Sequence, residues 1–395
     1  MVEEVWNPRP ANPMMKRFNF HPILSLTLVI ITTFASPSLR AEFPTAQEIA
    51  DEMTVGWNLG NTLEAMCSET AWGGAKTTQK LIDKVKESGF NAVRIPCAWD
   101  CHSKDGVIDS EWIARVREVV DYCLNDNLYV ILNMHWDGGW LENNVTPEAE
   151  ERVNAKQAIY WKKIAEYFKD YDEHLLFAGT NEPNVEDAEG MAVLMTYLQT
   201  FVDTVRSTGG NNSSRTLVVQ GPSTDIKKTN ELMNALPKDT IDNRLILEIH
   251  YYTPYQFCIM DKDADWGKMF YYWGKDNHST TDPERNATWG EEEDVERLFG
   301  LMKTKFVDQG IPVIVGEFAV GRRRLRGEAN QQLHDASREY FYKYVVGSIV
   351  EKGMIPFCWD TNMQLFNRGS GKILDQGVID AIMSGAGVPD RGQDK

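Results

Sequence analysis

The chain has 395 residues, of which 42% are hydrophobic and 25% are charged, a composition typical of a soluble globular protein with a large core. Its formal net charge of −17 argues against nucleic acid or an anionic membrane surface as a partner, because both would repel an acidic protein. A neutral ligand is compatible with this charge.

The first segment of the chain has the composition of an export signal. Lys16 and Arg17 precede an apolar run over 23–34, and small residues follow as far as Ala41. This order is typical of a secretory signal peptide, and the apolar run is too short for a permanent membrane anchor. We expect residues 1–41 to be an N-terminal extension with a signal peptide. The mature protein is then secreted, either extracellular or periplasmic, and is not associated with a membrane.

Short apolar runs alternate with longer amphipathic segments along the rest of the chain. Short runs bounded by turn residues predict buried strands, and the amphipathic segments predict helices. The predicted strands are 55–58, 91–96, 129–135, 175–182, 216–220, 245–250, 311–317 and 355–359. The predicted helices are 78–88, 109–125, 147–171, 190–207, 230–236, 292–309 and 329–351.

Eight strand-then-helix units without an internal repeat predict an α/β fold, a (β/α)8 TIM barrel that forms a single catalytic domain over residues 42–395. A doubly wound open sheet is the alternative, and it would need a glycine-rich phosphate-binding turn after the first strand. The segment 56–62 lacks the G-x-G-x-x-G spacing, and Gly371-Lys372 lacks the first glycine of a P-loop. The sequence therefore argues against nucleotide chemistry.

Polar and aromatic side chains stand where the predicted strands end. In a barrel of this class the active site is built at the carboxyl ends of the strands. Two of these residues are glutamates: Glu182 ends an apolar run that Pro183 stops, and Glu317 follows Gly316 directly. We expect the strand-end residues to meet at one end of the barrel, and they are Asn58, Arg94, His135, Asn181, Glu182, His250, Tyr252, Glu317 and Trp359.

Two carboxylates that face one cavity can cleave a glycosidic bond. One protonates the leaving oxygen, and the other attacks or stabilises the sugar carbon that loses it. Their pKa values must differ, one raised by its surroundings and the other held ionised by hydrogen bonds or positive charge. Arg94 and Tyr252 are the candidates for holding the ionised carboxylate. For either glutamate alone, a surface or salt-bridged role is the alternative.

An ordered set of short motifs carries a family resemblance. The motifs are 57–61 (Trp-Asn-Leu-Gly-Asn), 93–96 (Val-Arg-Ile-Pro), His135-Trp136, 181–183 (Asn-Glu-Pro), His250-x-Tyr252, 316–318 (Gly-Glu-Phe) and Trp359. Together they cover most of residues 54–360. In this order they resemble glycoside hydrolase family 5, the (β/α)8 cellulase family.

The resemblance implies a retaining double displacement at two glutamates. By position, Glu182 corresponds to the acid/base and Glu317 to the nucleophile. Arg94 and Tyr252 would hydrogen bond to Glu317 and orient it. Members of the family need no metal and no organic cofactor for this chemistry, so we expect none here.

The resemblance also implies roles for the other matched residues in binding the sugar. Asn181 would hold the 2-hydroxyl group of the sugar that is cleaved. His135 and His250 would line the subsite of that sugar, and Trp359 would form the platform beneath it. A buried structural role is the alternative for either histidine, and ordinary core packing is the alternative for Trp359.

These observations predict a secreted, monomeric endo-β-1,4-glucanase that acts on cellulose-type or mixed-linkage β-glucan and binds no nucleic acid. Within the same family, xyloglucan, lichenan and mannan are the alternative substrates, and the segment 57–61 favours glucans. A non-catalytic carbohydrate-binding protein on the same barrel is an alternative of a different class. Binding of a sugar without turnover would distinguish it.

Three further features of the sequence could have a role in ligand binding. Cys97, Cys101 and His102 are close in the chain, but their spacing matches no usual zinc or haem pattern, so no metal is predicted. The arginine-rich run 322–326 is interpreted as a solvated loop with local salt bridges, with an acidic sugar as the alternative ligand. The long aromatic connection 253–290 is a candidate wall of a substrate cleft.

Overall fold

The computed structural model describes residues 43–389, so the signal peptide expected at 1–41 lies outside the described residues. Eight parallel strands form a closed barrel in which each strand pairs with the next and the last pairs with the first. The predicted (β/α)8 fold is confirmed. The strands are β1 (Gly56–Leu59), β2 (Ala92–Ile95), β3 (Tyr129–Asn133), β4 (Leu175–Ala178), β5 (Leu217–Gln220), β6 (Leu245–Tyr251), β7 (Val313–Phe318) and β8 (Ile355–Asp360).

The helices accompany the strands in the predicted order. The predicted boundaries 230–236 are wrong, because the side chain of Asp225 accepts a hydrogen bond from the N–H of Lys228 and starts that helix earlier. None of the helices between residues 43 and 389 is long and apolar enough to cross a membrane. The helices are α1 (Ala46–Glu52), α2 (Gln79–Glu87), α3 (Ser110–Asn125), α4 (Glu150–Tyr167), α5 (Ala188–Ser207), α6 (Ile226–Leu232), α7 (Tyr255–Cys258), α8 (Glu292–Lys305), α9 (Glu328–Glu351) and α10 (Gln376–Gly385).

Side chains alternate between two buried clusters along each strand, as the two-residue period of a strand requires. The larger cluster lies between the strands and the surrounding helices. The smaller one joins α1 to every second strand residue, and its strand members are Ala92, Tyr129, Ile131, Leu176, Ala178, Val218, Ile246, Ile314, Ile355 and Phe357. Along the same face, the next positions of β2 and β6 are Arg94 and Glu248, both fully buried. The inner face therefore changes from apolar to charged towards the carboxyl ends of the strands.

An irregularity in β7 decides where Glu317 points. The β6–β7 register shifts between Ile249 and His250, which leaves Gly316 without a partner on β6. Such a bulge shifts the alternation of side chains by one residue, so Glu317 turns to the inside of the barrel. A Cβ atom on Gly316 would lie 2.0 Å from Oε1 of Glu248. Glycine is therefore required at the bulge.

A disulfide joins two loops at the carboxyl end of the barrel. Cys67, in the loop after β1, is bonded to Cys101, in the loop after β2, with 5.2 Å between their Cα atoms. The other four cysteines are buried and free. His102 stacks on Trp112 with 3.5 Å between the ring centroids. Cys97, Cys101 and His102 therefore have separate structural roles: Cys97 is a buried free thiol, Cys101 is in the disulfide and His102 stacks on Trp112.

Candidate active site

Arg94 is the centre of the polar cluster at the carboxyl ends of the strands. Its side chain is fully buried, and its Nη1 donates to Oε1 of Glu317 at 2.8 Å and to Oδ1 of Asn58 at 3.0 Å. Its Nη2 donates to Oδ1 of Asn181 at 2.8 Å. Its Nε lies 2.8 Å from Oε1 of Glu248. One guanidinium group therefore fixes side chains from four other strand ends.

Glu317 is held on both of its carboxylate oxygens. Arg94 binds Oε1, and the hydroxyl of Tyr252 donates to Oε2 at 2.9 Å. Burial raises the pKa of Glu317 above its ordinary value, and the charges of His250 and Arg94 oppose this effect only in part. Because its oxygens are fixed and its side chain is only 7% exposed, Glu317 has a single well-defined orientation.

Glu182 is held differently, with its carboxylate partly open to solvent. Its side chain is 43% exposed, and Oε1 lies 2.7 Å from Nδ1 of His250. The main-chain N–H of Glu182 donates to Oε1 of Glu142 at 2.6 Å. Burial works to raise the pKa of Glu182, but the hydrogen bond and charge of His250, together with the charge of Arg94, lower it below its ordinary value.

His250 lies among three carboxylates. Its Nδ1 is 2.7 Å from Glu182 and 3.7 Å from Oε2 of Glu317, and its Nε2 is 3.2 Å from Oε1 of Glu248. Burial alone would lower the pKa of His250, but the negative charges of Glu317, Glu182 and Glu248 raise it to about 10. The proton between Glu182 and His250 is therefore held by His250.

The order of the two carboxyl pKa values differs from the one that the sequence led us to expect. The acid/base role requires a raised pKa at Glu182, and the nucleophile role requires an ionised Glu317. The surroundings of the two groups instead lower the pKa of Glu182 and raise that of Glu317. The physical reason is that the hydrogen bond and charge of His250 outweigh burial at Glu182, whereas burial outweighs the nearby positive charges at Glu317.

The spacing of the two glutamates is that of a retaining glycosidase. One carboxylate oxygen of Glu182, one of Glu317 and a ring nitrogen of His250 all lie within 4.8 Å of one another. Retaining enzymes have carboxyl groups about 5 to 5.5 Å apart, whereas inverting enzymes leave about 6.5 to 9.5 Å for a water molecule. The two side chains thus face a single site, and the closeness of their nearest oxygens favours the retaining arrangement.

The rings of Trp359 and His135 stack on one another at the carboxyl ends of the strands. Their rings are nearly parallel, at 10°, with centroids 5.7 Å apart. The Nδ2 of Asn133 lies 3.1 Å from Nδ1 of His135. Burial, together with the charges of Arg94 and His250, lowers the pKa of His135 well below its ordinary value. His135 is therefore a neutral ring, suited to contact with an uncharged sugar.

A buried ion pair follows Trp359 directly in the chain and holds Trp57. Asp360 accepts hydrogen bonds from Nε1 of Trp57 at 3.0 Å and from Nη1 of Arg368 at 2.8 Å. The guanidinium of Arg368 lies 4.7 Å from the centroid of the Trp57 ring. A Cβ atom on Gly60 would lie 2.8 Å from the indole of Trp359, so the chain approaches the ring closely at that glycine. The ring is fixed on its covered face.

The sequence analysis missed three buried carboxylates next to the site. Glu248 contacts Arg94 and His250, and its signal was its position two residues before His250 on the same strand face. Glu142 binds the N–H of Glu182, and Glu64 accepts from the main chain of the loop after β1. Burial raises the pKa of Glu142 and that of Glu64 to about 7. Nothing in the local sequence marks these two residues as buried.

The long connection after β6 mixes packed and exposed aromatic side chains. Phe257, Phe270, Tyr272 and Trp273 are buried, whereas Tyr255, Trp266 and Trp289 are exposed. Trp266 lies 5.9 Å from Tyr255 between ring centroids, so two of the exposed rings form one patch. The exposed rings are available for stacking on a ligand, and the buried ones hold the connection together.

The arginine-rich run after β7 makes local contacts, in line with its interpretation as a loop with salt bridges. Arg322 forms an ion pair with Asp335 at 2.7 Å. Arg323 donates to the main-chain carbonyl groups of Gln256, Phe257 and Met260 at 3.0, 2.7 and 2.9 Å. These bonds tie the run to the long connection after β6.

Comparison with known proteins identifies the family. The sequence profile of the cellulase family, glycosyl hydrolase family 5, matches residues 52–364. The chain therefore belongs to glycosyl hydrolase family 5, and it is a glycoside hydrolase. The predictions of the family, of the enzyme class and of an endoglucanase-type activity are confirmed.

Three similar proteins illustrate the relationship. A xyloglucan-specific endo-β-1,4-glucanase of Bacteroides ovatus is 37% identical over 367 residues, covering 86% of this chain and 70% of the relative. The crystal structure of a xyloglucan-specific β-1,4-glucanase from a ruminal metagenomic library, in complex with XXLG, is 42% identical with a TM-score of 0.82, covering 88% of this chain and 97% of that one. A broad-specificity endoglucanase from Bacteroides salanitronis is 36% identical with a TM-score of 0.76, covering 89% and 98%.

Proposed function

We propose that the protein is a retaining endo-β-1,4-glucanase in which Glu182 is the acid/base and Glu317 the nucleophile, with xyloglucan as its preferred substrate. The observation that carries the mechanism is the pair of carboxylates with oxygens within 4.8 Å of each other. The observation that favours xyloglucan is that relatives specific for it are 42% and 37% identical to this chain. A broad-specificity β-glucanase is the second candidate, favoured by the 36% identical structure.

In the first step Glu317 attacks the anomeric carbon of the bound sugar. The bond to the leaving glycosidic oxygen breaks, and Glu182 gives that oxygen a proton. Arg94 and Tyr252 keep the attacking carboxylate in one orientation throughout, because each binds a different oxygen of Glu317. The product is a covalent glycosyl-enzyme.

In the second step water releases the sugar. Glu182, now ionised, takes a proton from the water molecule as its oxygen attacks the anomeric carbon, and Glu317 leaves as a carboxylate. Asn181 is fixed by Arg94 at 2.8 Å, which leaves its amide nitrogen as a donor for the 2-hydroxyl group. Trp359 and His135 form the surface on which the cleaved sugar stacks.

A panel of soluble polysaccharides, scored by release of reducing ends, tests the substrate. The panel contains xyloglucan, barley glucan, carboxymethylcellulose, glucomannan and xylan, with Glu317→Gln as the background control. We expect the highest kcat/KM on xyloglucan and a rapid fall in solution viscosity, as internal cleavage requires. Equal rates on all the glucans would favour the broad-specificity candidate. Activity confined to glucomannan or xylan would contradict the glucanase proposal.

Binding without turnover is the alternative that must be separated from catalysis. A non-catalytic barrel would retain affinity for xyloglucan and release no product from any substrate in the panel. The presence of both glutamates on one site supports catalysis. Proton NMR of the first product provides the stereochemical check, because a retaining enzyme gives the β-anomer first and an inverting one gives the α-anomer.

Export from the cytoplasm is part of the proposal. A disulfide between Cys67 and Cys101 supports an oxidising compartment, because cytosolic thiols are kept reduced. Fractionation of the native host and N-terminal sequencing test it, and we expect the secreted or periplasmic chain to begin at Glu42. Recovery of the chain in the cytosol with residue 16 still attached would contradict export.

A further inference from the structure

Glu182, His250 and Glu248 form a continuous hydrogen-bonded chain. Nδ1 of His250 lies 2.7 Å from Oε1 of Glu182, and Nε2 of His250 lies 3.2 Å from Oε1 of Glu248. A neutral imidazole has one donor nitrogen and one acceptor nitrogen, whereas the imidazolium ion has two donors. With an acceptor oxygen at each nitrogen, the doubly protonated ring satisfies both contacts.

Glu248 is held in place by polar contacts with residues other than His250. Its side chain is fully buried, its Oε1 lies 2.8 Å from Nε of Arg94, and its Oε2 accepts from Nε2 of Gln220 at 2.6 Å. Gly316 leaves room for the carboxylate, since a Cβ there would lie 2.0 Å from Oε1. Buried carboxylates are costly unless they are paired in this way. The charges of Arg94 and His250, with hydrogen bonds from His250 and Gln220, outweigh burial and lower the pKa of Glu248.

We propose that Glu248 is a positioning residue that keeps His250 protonated, and that His250 stores the proton which Glu182 delivers to the leaving oxygen. The inference rests on the acid/base role proposed above for Glu182. In the first step the proton on Nδ1 of His250 passes to Glu182 as Glu182 protonates the glycosidic oxygen, which leaves His250 neutral. In the second step Glu182 takes a proton from water and returns it to Nδ1. Protons balance over the cycle.

The other charged groups around His250 agree with this arrangement. Glu317 lies 3.7 Å from Nδ1 and adds a third negative charge, while Arg94 is paired with Glu317 and Glu248. The titratable groups that interact with the ring are Glu182, Glu248, Glu317 and His135, and Arg94 and Tyr252 both bind the Glu317 carboxylate. The negative groups outnumber Arg94, and the pKa of His250 is raised to about 10. The relay also explains how an acid/base with a lowered pKa obtains its proton.

NMR of the protein labelled with 15N-histidine tests the stored proton without reference to activity. The chain has seven histidines, and His250→Asn assigns the resonance of interest by its loss. We expect His250 to be an imidazolium ion at about pH 8 in the wild type and its titration midpoint to lie about one pH unit or more lower in Glu248→Gln. Glu142→Gln is the matched control, because Glu142 contacts the main chain of Glu182 and makes no contact with His250. In that variant His250 should titrate with the same midpoint as in the wild type.

Two results would overturn the proposal. A neutral His250 in the wild type at about pH 8 would remove the stored proton, and this measurement stands even if Glu248→Gln does not fold. A titration midpoint of His250 that is unchanged in a folded Glu248→Gln would remove the role of Glu248. Neither result depends on substrate, so a failure of the relay is distinguishable from a failure of the glucanase proposal, which the polysaccharide panel reports.

The pH profile of hydrolysis provides the kinetic test. In Glu248→Gln the alkaline limb of kcat should move to lower pH by about one unit or more, while KM stays close to wild type because Glu248 is fully buried. A purely structural role would lower kcat equally at every pH. An unmoved alkaline limb in a folded variant would therefore contradict the relay.

Discussion

Arg94 and Arg215 are both fully buried, one near the carboxyl ends of the barrel strands and one just before the amino end of β5. Arg94 is surrounded by carboxylates and side-chain amides. Arg215 is surrounded by neutral oxygens: Oδ1 of Asn212 and the main-chain carbonyl groups of Phe168, Tyr171, Asp172 and Leu175. A buried arginine therefore binds charged carboxylates at one end of the barrel and neutral oxygens at the other.

The partners of the two arginines change their pKa values in opposite directions. Burial lowers the pKa of Arg215, because its carbonyl partners bring no negative charge to offset the loss of solvent. Burial also opposes the charge of Arg94, but Glu248 and Glu317 outweigh it and raise the pKa of Arg94. The amino end uses its arginine to hold the chain, and the carboxyl end uses its arginine to orient reactive carboxylates.

Glu317→Gln should have the largest effect on activity. The amide can still accept a hydrogen bond from Arg94, but it cannot form the glycosyl-enzyme, so we expect kcat to fall by ~10⁴-fold or more with little change in Tm. Steady-state hydrolysis of xyloglucan and thermal melting measure the two quantities. Glu293→Gln, at a side chain that is 92% exposed, is the control and should match the wild type. Activity near wild type in Glu317→Gln would refute the nucleophile assignment.

Arg94→Lys tests the carboxyl-end arginine. Lysine keeps the positive charge but cannot reach Glu248, Asn181 and Glu317 together, so Glu317 and Asn181 lose their fixed geometry. We expect kcat/KM to fall by ~10²- to 10³-fold in protein that is still folded by circular dichroism. A fall of less than about threefold would show that Arg94 is not needed to orient the site.

Arg215→Lys tests the amino-end arginine and provides the contrast. A lysine cannot serve five oxygens, and the carbonyl groups left unpaired should lower the free energy of unfolding by about 3 kcal/mol. Denaturant melts measure this loss. The kcat/KM of the folded variant should equal that of the wild type, because Arg215 is remote from the catalytic carboxylates. The comparison of the two arginines would be wrong if Arg215→Lys damaged kcat/KM as much as Arg94→Lys.

Glu142→Gln should have the smallest effect of the four variants. We expect it to change how the free energy of unfolding depends on pH. Burial raises the pKa of Glu142 from 4.5 to about 7, so the folded protein binds this proton more tightly than the unfolded chain. The stabilisation from the protonated form is therefore present below the ordinary pKa and is lost as the pH rises through about 7. Relative to the wild type, Glu142→Gln should gain about 2 kcal/mol between pH 5 and pH 8. A constant difference across this range would mean that Glu142 does not titrate there.

The sequence could predict the barrel and the residues at its strand ends because both depend on local pattern. Glu182 and Glu317 stand directly after apolar runs, and parallel strands bring their carboxyl ends together in any closed barrel. The bulge at Gly316 could not be predicted, because it depends on the space that Glu248 needs on the neighbouring strand. Likewise, the Cys67–Cys101 disulfide joins residues 34 apart in the chain, which only the packing of two loops brings together.

Other features were not predicted although the sequence contains a pattern that indicates them. Thr45 and Glu48 form a capping box at the start of α1, a pattern readable from sequence, yet that helix was not predicted. Glu248 interrupts an apolar strand on the same face as His250, which is an unusual place for a carboxylate. Arg215 gave no signal, because an arginine before a strand is ordinary until its neighbours fold around it.

Trapping of the covalent intermediate tests the central claim most directly. A 2-deoxy-2-fluoro cello-oligosaccharide with an activated leaving group allows the first step and slows the second, so the glycosyl-enzyme accumulates and can be located by peptide mass spectrometry. We predict one label per chain, attached to Glu317. A label on another carboxylate, or an unlabelled chain that turns over substrate with the α-anomer as its first product, would contradict the double displacement.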